Sequence, residues 1–113
     1  MLHIALHFLI PALLAAAIDR KRWLRTWLIL IGTMAVDVDH LLAVPVYDPE
    51  RCSIGFHPLH TTPAIIAYGV LLIGPWVACR VAWCREQSRG RVVQLVGLGL
   101  VVHMVLDGID CLI

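Results

Sequence analysis

Four apolar runs dominate this chain: Met1 to Ile18, Trp23 to Val46, Thr62 to Trp83 and Val92 to Ile113. Each approaches the roughly 20 residues that a helix needs to cross about 30 Å of hydrocarbon. A chain of 113 residues has too little interior to hide so much apolar surface from water. Hydrophobic residues make up 60% of it and charged residues 15%, where soluble domains run about 45–50% and about 25%. Lipid is therefore the expected solvent. The expected fold is all-α, a single transmembrane domain over residues 1–113 built as an integral membrane four-helix bundle.

The connections between the runs imply an orientation. Asp19-Arg20-Lys21-Arg22 joins the first two, and Cys84-Arg85-Glu86-Gln87-Ser88-Arg89-Gly90-Arg91 joins the last two. With Arg25 and Arg80 nearby, these turns gather every cation except Arg51. Basic turns are held in the cytoplasm, so both termini and the 47–61 loop are expected on the extracytoplasmic side. Ala15-Ala16-Ala17 resembles a signal cleavage site, but no Lys or Arg precedes the apolar stretch and several follow it, so a retained helix is expected. Pro49, Gly55 and Pro58 mark the 47–61 loop as irregular. A net charge of +1 supplies no field for nucleic acid. Gly97 and Gly99 would permit close helix packing, although without G-x-x-x-G spacing.

The polar residues are distributed unusually. His3, His7, His40, His57, His60 and His103, with Asp37, Asp39, Asp107 and Asp110, all lie in apolar runs or in the outer loop. An ionisable group inside a span costs at least about 2.5–3.5 kcal/mol and marks a functional site by default. Pairing with cations would be the ordinary explanation, yet the cations sit at the opposite end. At about 1.5 Å per residue, His7, His40 and Asp107 come out roughly 9 Å below the outer boundary. Helical spacing places His3 with His7, Asp37 with His40, and His103 with Asp107 and Asp110, each set on one face. Asp39 points away from His40 and is read as supporting the ligands or as a ligand reached by bending. His57 and His60 would enter from the mouth, just before Thr61-Thr62-Pro63, which suits a helix start.

Imidazole with carboxylate and no thiolate suits zinc, with manganese or iron as alternatives. Four buried carboxylates call for about two divalent ions to balance them. The metal residues expected are His3, His7, Asp37, His40, His57, His60, His103 and Asp107. Pro11 removes the helical partner of the His7 carbonyl, which predicts a kink presenting His7 or that carbonyl to the site. Topology separates the cysteines. Cys79 and Cys84 are expected as reduced thiols, and Cys52 and Cys111 as a disulfide, with free thiols or Cys52 as a soft ligand the alternatives.

At these residues the sequence resembles the small bacterial membrane-bound metal-dependent hydrolases of the YdjM type, most closely their compact four-helix branch. The resemblance rests on Leu2-His3 through His7-Phe8-Leu9, Asp37-Val38-Asp39-His40, His57-Pro58-Leu59-His60-Thr61 and His103-Met104-Val105-Leu106-Asp107. That family is in turn similar to the zinc-dependent phospholipase C and single-strand nuclease superfamily. Its soluble members also use an H-x-x-x-E element. Here the only glutamates, Glu50 and Glu86, are not so placed, and Pro58-Leu59 stands where Arg-Gly is usual. The resemblance implies a phosphoester hydrolase of the bacterial inner membrane, with its site toward the periplasm or exterior. A metal-activated water would attack a lipid or isoprenoid phosphate, and Asp39 or Asp110 would serve as general base. Membrane lipid is the expected partner. The alternative is a non-catalytic metal-binding membrane protein, whether structural, partner-binding or metal-handling.

Overall fold

The computed structural model describes residues 2–48, 50–81 and 87–113. The described residues are helical and contain no strand. In chain order they form α1 (Leu2–Ile18), α2 (Trp23–Gly32), a 3-10 helix (Thr33–Leu42), a 3-10 turn (Pro58–His60), α3 (Thr62–Val81) and α4 (Gln87–Asp110). Thr62–Arg80 and Arg89–Asp110 are long and apolar enough to cross a membrane, and α1 is a shorter apolar helix.

The second apolar run departs from the expected single helix over 23–46. Its α-helical part ends at Gly32, and the backbone tightens to 3-10 winding through Leu42. Thr33 at the junction donates its hydroxyl to the Leu30 carbonyl. Asp37 and Asp39 are weak helix formers, and the backbone is already extended at Ala43, two residues ahead of Pro45, which could not have continued the helix. The 3-10 geometry still superimposes residues three apart, so Asp37 and His40 share an edge as expected. Its steeper rise makes α2 and the 3-10 helix together about 35 Å long. α4 begins at Gln87 rather than Val92, so part of the expected basic turn is helical. Cys84 and Arg85, also assigned to that turn, lie outside the described residues.

The helices do not close a square. α4 lies in the middle, with α3 packed on it from one side and the α1–α2 pair from the other. Gly97 and Gly99 explain how. A Cβ at Gly97 would come within 2.8 Å of Leu72 Cα, and one at Gly99 within 2.8 Å of the Thr33 side chain. Two residues turn a helix by about 200°, so these glycines admit α3 and the α2 junction on opposite sides of α4. Tyr68, Leu100 and Met104 form a small core, with Val36, Ile54 and Val96 against it.

Arg91 reaches to 3.5 Å from Asp19, which brings the two basic connections to one end. At the other end Cys52 and Cys111 form the expected disulfide, 5.1 Å between Cα atoms. Cys79, expected as a reduced thiol, is also disulfide-bonded. That expectation came from an assigned compartment, whereas a disulfide depends directly on two sulfurs within reach.

Candidate metal centre

Every histidine and aspartate singled out from the sequence gathers at the disulfide end. α1 supplies His3 and His7, the 3-10 helix supplies Asp37, Asp39 and His40, the loop and its turn supply His57 and His60, and α4 supplies His103, Asp107 and Asp110. The Pro58–His60 turn is clamped from two directions. Leu59 donates its amide to Asp39 Oδ2 at 2.8 Å, and Tyr68 of α3 donates its hydroxyl to the Leu59 carbonyl at 2.9 Å. In α1, Pro11 is buried inside the helix and His7 is buried toward the site.

Three groups of side chains have ligand atoms within 4.8 Å of one another: His3, His7 and Asp107; Asp37, His60, His103 and Asp107; and Asp39, His40 and His57. Asp107 belongs to the first two and divides its oxygens between them. Its Oδ1 lies 3.3 Å from His3 Nε2 and 3.2 Å from His7 Nε2. Its Oδ2 lies 3.1 Å from His60 Nε2 and 3.4 Å from His103 Nε2. Asp37 Oδ1 completes the second group, 2.9 Å from His103 Nε2 and 3.4 Å from His60 Nε2. Bonds of about 2.0 Å to a tetrahedral zinc imply ligand-to-ligand edges of about 3.3 Å. The four measured edges straddle that value.

The hydrogen bonds behind these atoms orient them. A carbonyl can only accept, so His7 Nδ1 donates to the His3 carbonyl at 2.9 Å and turns Nε2 toward Asp107. By the same logic His60 Nδ1 donates to Asp39 Oδ2 at 3.2 Å, leaving Nε2 for the second group. Among the described residues, four buried polar atoms nonetheless have no partner in hydrogen-bond geometry: His7 Nε2, His60 Nε2, His103 Nδ1 and Asp107 Oδ2. His7 Nε2, His60 Nε2 and Asp107 Oδ2 have neighbours at 3.2, 3.1 and 3.1 Å that are poorly aligned to bond, whereas His103 Nδ1 lies across the ring from the Nε2 that faces the group. Orphaned buried groups of this kind cost about 1–3 kcal/mol each, and a divalent ion is the partner that imidazole and carboxylate together would satisfy. Three of the four, all but His103 Nδ1, face the first two groups.

The third group differs. His40 Nδ1 is 3.1 Å from Asp39 Oδ1 and its Nε2 is 3.0 Å from Ser53 Oγ, so both ring nitrogens are engaged. His57 stacks on His40 with ring centroids 3.8 Å apart. Burial, and then the neighbouring His40, lower the pKa of His57. His60 is the opposite case. Burial alone would lower its pKa, but Asp107, Asp37 and Asp39 surround it with negative charge and raise it to about 10.

The remaining expected residue, Asp110, is exposed at the end of α4, 3.5 Å from His3 Nδ1. It lines a cavity of about 220 Å³ with Glu50, Arg51, Ser53 and Asp107, next to the disulfide. Asp39 is only 3% exposed and accepts from Leu59, His60 and His40. Sequence reasoning missed Ser53, a single hydroxyl in an irregular loop that no periodicity marks.

The architecture is thus an all-helical protein with buried His/Asp groups that could hold metal. The chain belongs to the family of unknown function DUF6122, whose model matches residues 1–84. No curated protein and no solved structure matches it.

Proposed function

We propose that this is a membrane-embedded hydrolase that uses two divalent metals, most simply zinc, to cleave a phosphoester at the outer membrane boundary. The observation that carries the metal reading is the set of three unpartnered buried atoms, His7 Nε2, His60 Nε2 and Asp107 Oδ2, that face the two groups joined by Asp107. His3, His7 and Asp107 would hold one ion, and Asp37, His60, His103 and Asp107 the other. Bound there, such ions supply Lewis acidity and an activated water for attack on phosphorus. The first group offers three protein ligands, the number that leaves a position open for chemistry. Asp110 lines the cavity beside that group and is the carboxylate placed to take a proton. Asp39, with its oxygens occupied, orients His60.

The membrane reading is supported by α3. This helix is apolar on all sides, yet only 6% of its best membrane-length window is buried inside the protein. A helix hydrophobic all round is expected to be covered, and lipid would cover it. α1, at about 25 Å, and the rod of α2 with its 3-10 extension, at about 35 Å, would lie alongside. Access through the cavity at Asp107 and Asp110 favours catalysis over a metal that only fastens helices. The basic end would face the cytoplasm, as basic turns favour, with the site outside, in the bacterial inner membrane that the resemblance to YdjM-type hydrolases implies.

The test is metal content of detergent-purified protein, read beside hydrolysis of a lipid phosphate. Two ions per chain are expected, about one in His7→Ala, and less than one in Asp107→Ala, because Asp107 serves both groups. Wild-type protein that carries no metal after zinc loading and desalting would refute the reading.

A further inference from the structure

The group of Asp39, His40 and His57 contains none of the orphaned buried atoms and has a different chemistry. Ser53 Oγ, His40 and Asp39 form a chain of hydrogen bonds: 3.0 Å from Ser53 Oγ to His40 Nε2, and 3.1 Å from His40 Nδ1 to Asp39 Oδ1. Because a carboxylate accepts, Nδ1 carries the hydrogen and Nε2 presents its lone pair to the serine hydroxyl. Accessibility falls along the chain in the order a nucleophile requires. Ser53 is partly exposed, the His40 side chain is 29% exposed and that of Asp39 is 3% exposed. Asp39 is pinned by the Leu59 amide at 2.8 Å, and stacking against His57 holds the plane of the His40 ring. Ser53 lines the cavity of about 220 Å³ at the mouth of the site, so a reacting group can reach it.

We infer that Ser53, His40 and Asp39 form a serine nucleophile relay, a second reactive site that takes an uncharged carboxylic ester. The arrangement matches the roles of a Ser-His-Asp triad, which is recognised by geometry rather than by order in the chain. Ser53 Oγ attacks the ester carbonyl carbon as its proton passes to His40 Nε2. The carbon–oxygen bond to the alcohol breaks, and the departing oxygen takes that proton from His40. Water then attacks the acyl-serine, its proton passing through His40 back to Ser53 Oγ, and the carboxylic acid leaves. Asp39 touches no substrate. It positions His40 and stabilises the transient imidazolium.

Two features select the substrate class. Arg51, a cation lining the cavity, is already committed to the Pro45 carbonyl at 2.8 Å and to Asp48 at 3.5 Å. Glu50 and Asp110 line the same cavity and, unlike Asp107, are not neutralised by the proposed ions, so they disfavour an anion held at the serine, whereas a phosphate would be drawn on to the ions. An uncharged ester meets neither obstacle. The volume is below the roughly 300–1,000 Å³ of sites that enclose a whole drug-sized ligand, so only the ester group and a short acyl chain would enter.

The assignment rests on a two-ion centre but does not require those ions to hydrolyse anything. Full-length, zinc-loaded protein in detergent is treated with a fluorophosphonate probe and mapped by mass spectrometry, with p-nitrophenyl butyrate as reporter ester. One adduct on Ser53 is expected, absent in Ser53→Ala. Labelling should slow by at least about 100-fold in His40→Gln, the usual minimum for loss of a general base. Metal content should stay at the wild-type value in both variants. No adduct on Ser53 under conditions that label a known serine hydrolase overturns the relay, as does labelling that is unchanged in His40→Gln. A third ion that disappears in His40→Gln overturns it too, by showing His40 to be a ligand. Failure of the metal reading is seen separately, in wild-type, His7→Ala and Asp107→Ala metal counts.

Discussion

Asp107 and His60 face each other at 3.1 Å without a well-aligned hydrogen bond, and both are almost completely buried. In the metal-free chain a proton on His60 partly answers the charge of the surrounding carboxylates, which is why its pKa rises from 6.5 to about 10. The sign follows directly. A raised folded-state pKa contributes stability that is fully present below about 6.5 and is lost as pH climbs through about 10. A metal ion needs the same nitrogen deprotonated, so binding near neutral pH must expel that proton. Apparent zinc affinity is therefore expected to rise by up to about tenfold per pH unit between about pH 6.5 and 8.5. Calorimetric titration in buffers of different ionisation enthalpy measures the released protons directly. Zinc binding without proton release in this range would contradict the assignment of His60 as a ligand.

Among the elements, α4 carries the most consequence because both sides of it are occupied. Gly97→Ala would drive a methyl group into the α3 backbone at Leu71 and Leu72, where no side chain can swing aside. Overpacking of this kind costs about 1–3 kcal/mol. Gly69→Ala on α3, whose Cβ would meet nothing within 4 Å, is expected to be neutral or slightly stabilising. Denaturant unfolding of the two variants in detergent makes the comparison, and equal stabilities would show that the α3–α4 approach is not as tight as described. Much of this level was legible beforehand. His3 with His7 and His103 with Asp107 follow from the helical repeat, and alternating chain direction brings them to one end. The 3-10 winding was not legible, because an apolar run reads alike in either helix and the pattern through Asp37 and His40 is compatible with both. Ser53 was invisible for a different reason. Its meaning depends on His40, thirteen residues away across a loop whose path no local rule determines.

For the whole molecule, two kinds of evidence about orientation point in opposite directions. The chain is 48 Å along its longest axis, close to the roughly 40–45 Å of a bilayer with headgroups. The contact between Arg91 and Asp19 marks one pole, and the Cys52–Cys111 bond with the His/Asp cluster marks the other. On the proposed membrane reading, charge would place the first pole in the cytoplasm. Thiol chemistry assigns the second pole to an oxidising compartment, in agreement. Cys79 breaks the agreement, because it lies near the end of α3 beside Arg80 and is disulfide-bonded as well. Charge is the stronger guide. Basic turns determine orientation during insertion, whereas a disulfide forms wherever the fold holds two sulfurs within reach. Both termini are therefore expected outside the cytoplasm, and green fluorescent protein fused after Ile113 through the secretory route should stay dark. Thiol mapping of the same cells should find Cys52 and Cys111 protected from alkylation until a reductant is added. Bright fluorescence would invert the molecule, placing the arginine pole outside and the proposed metal centre at the cytoplasmic boundary.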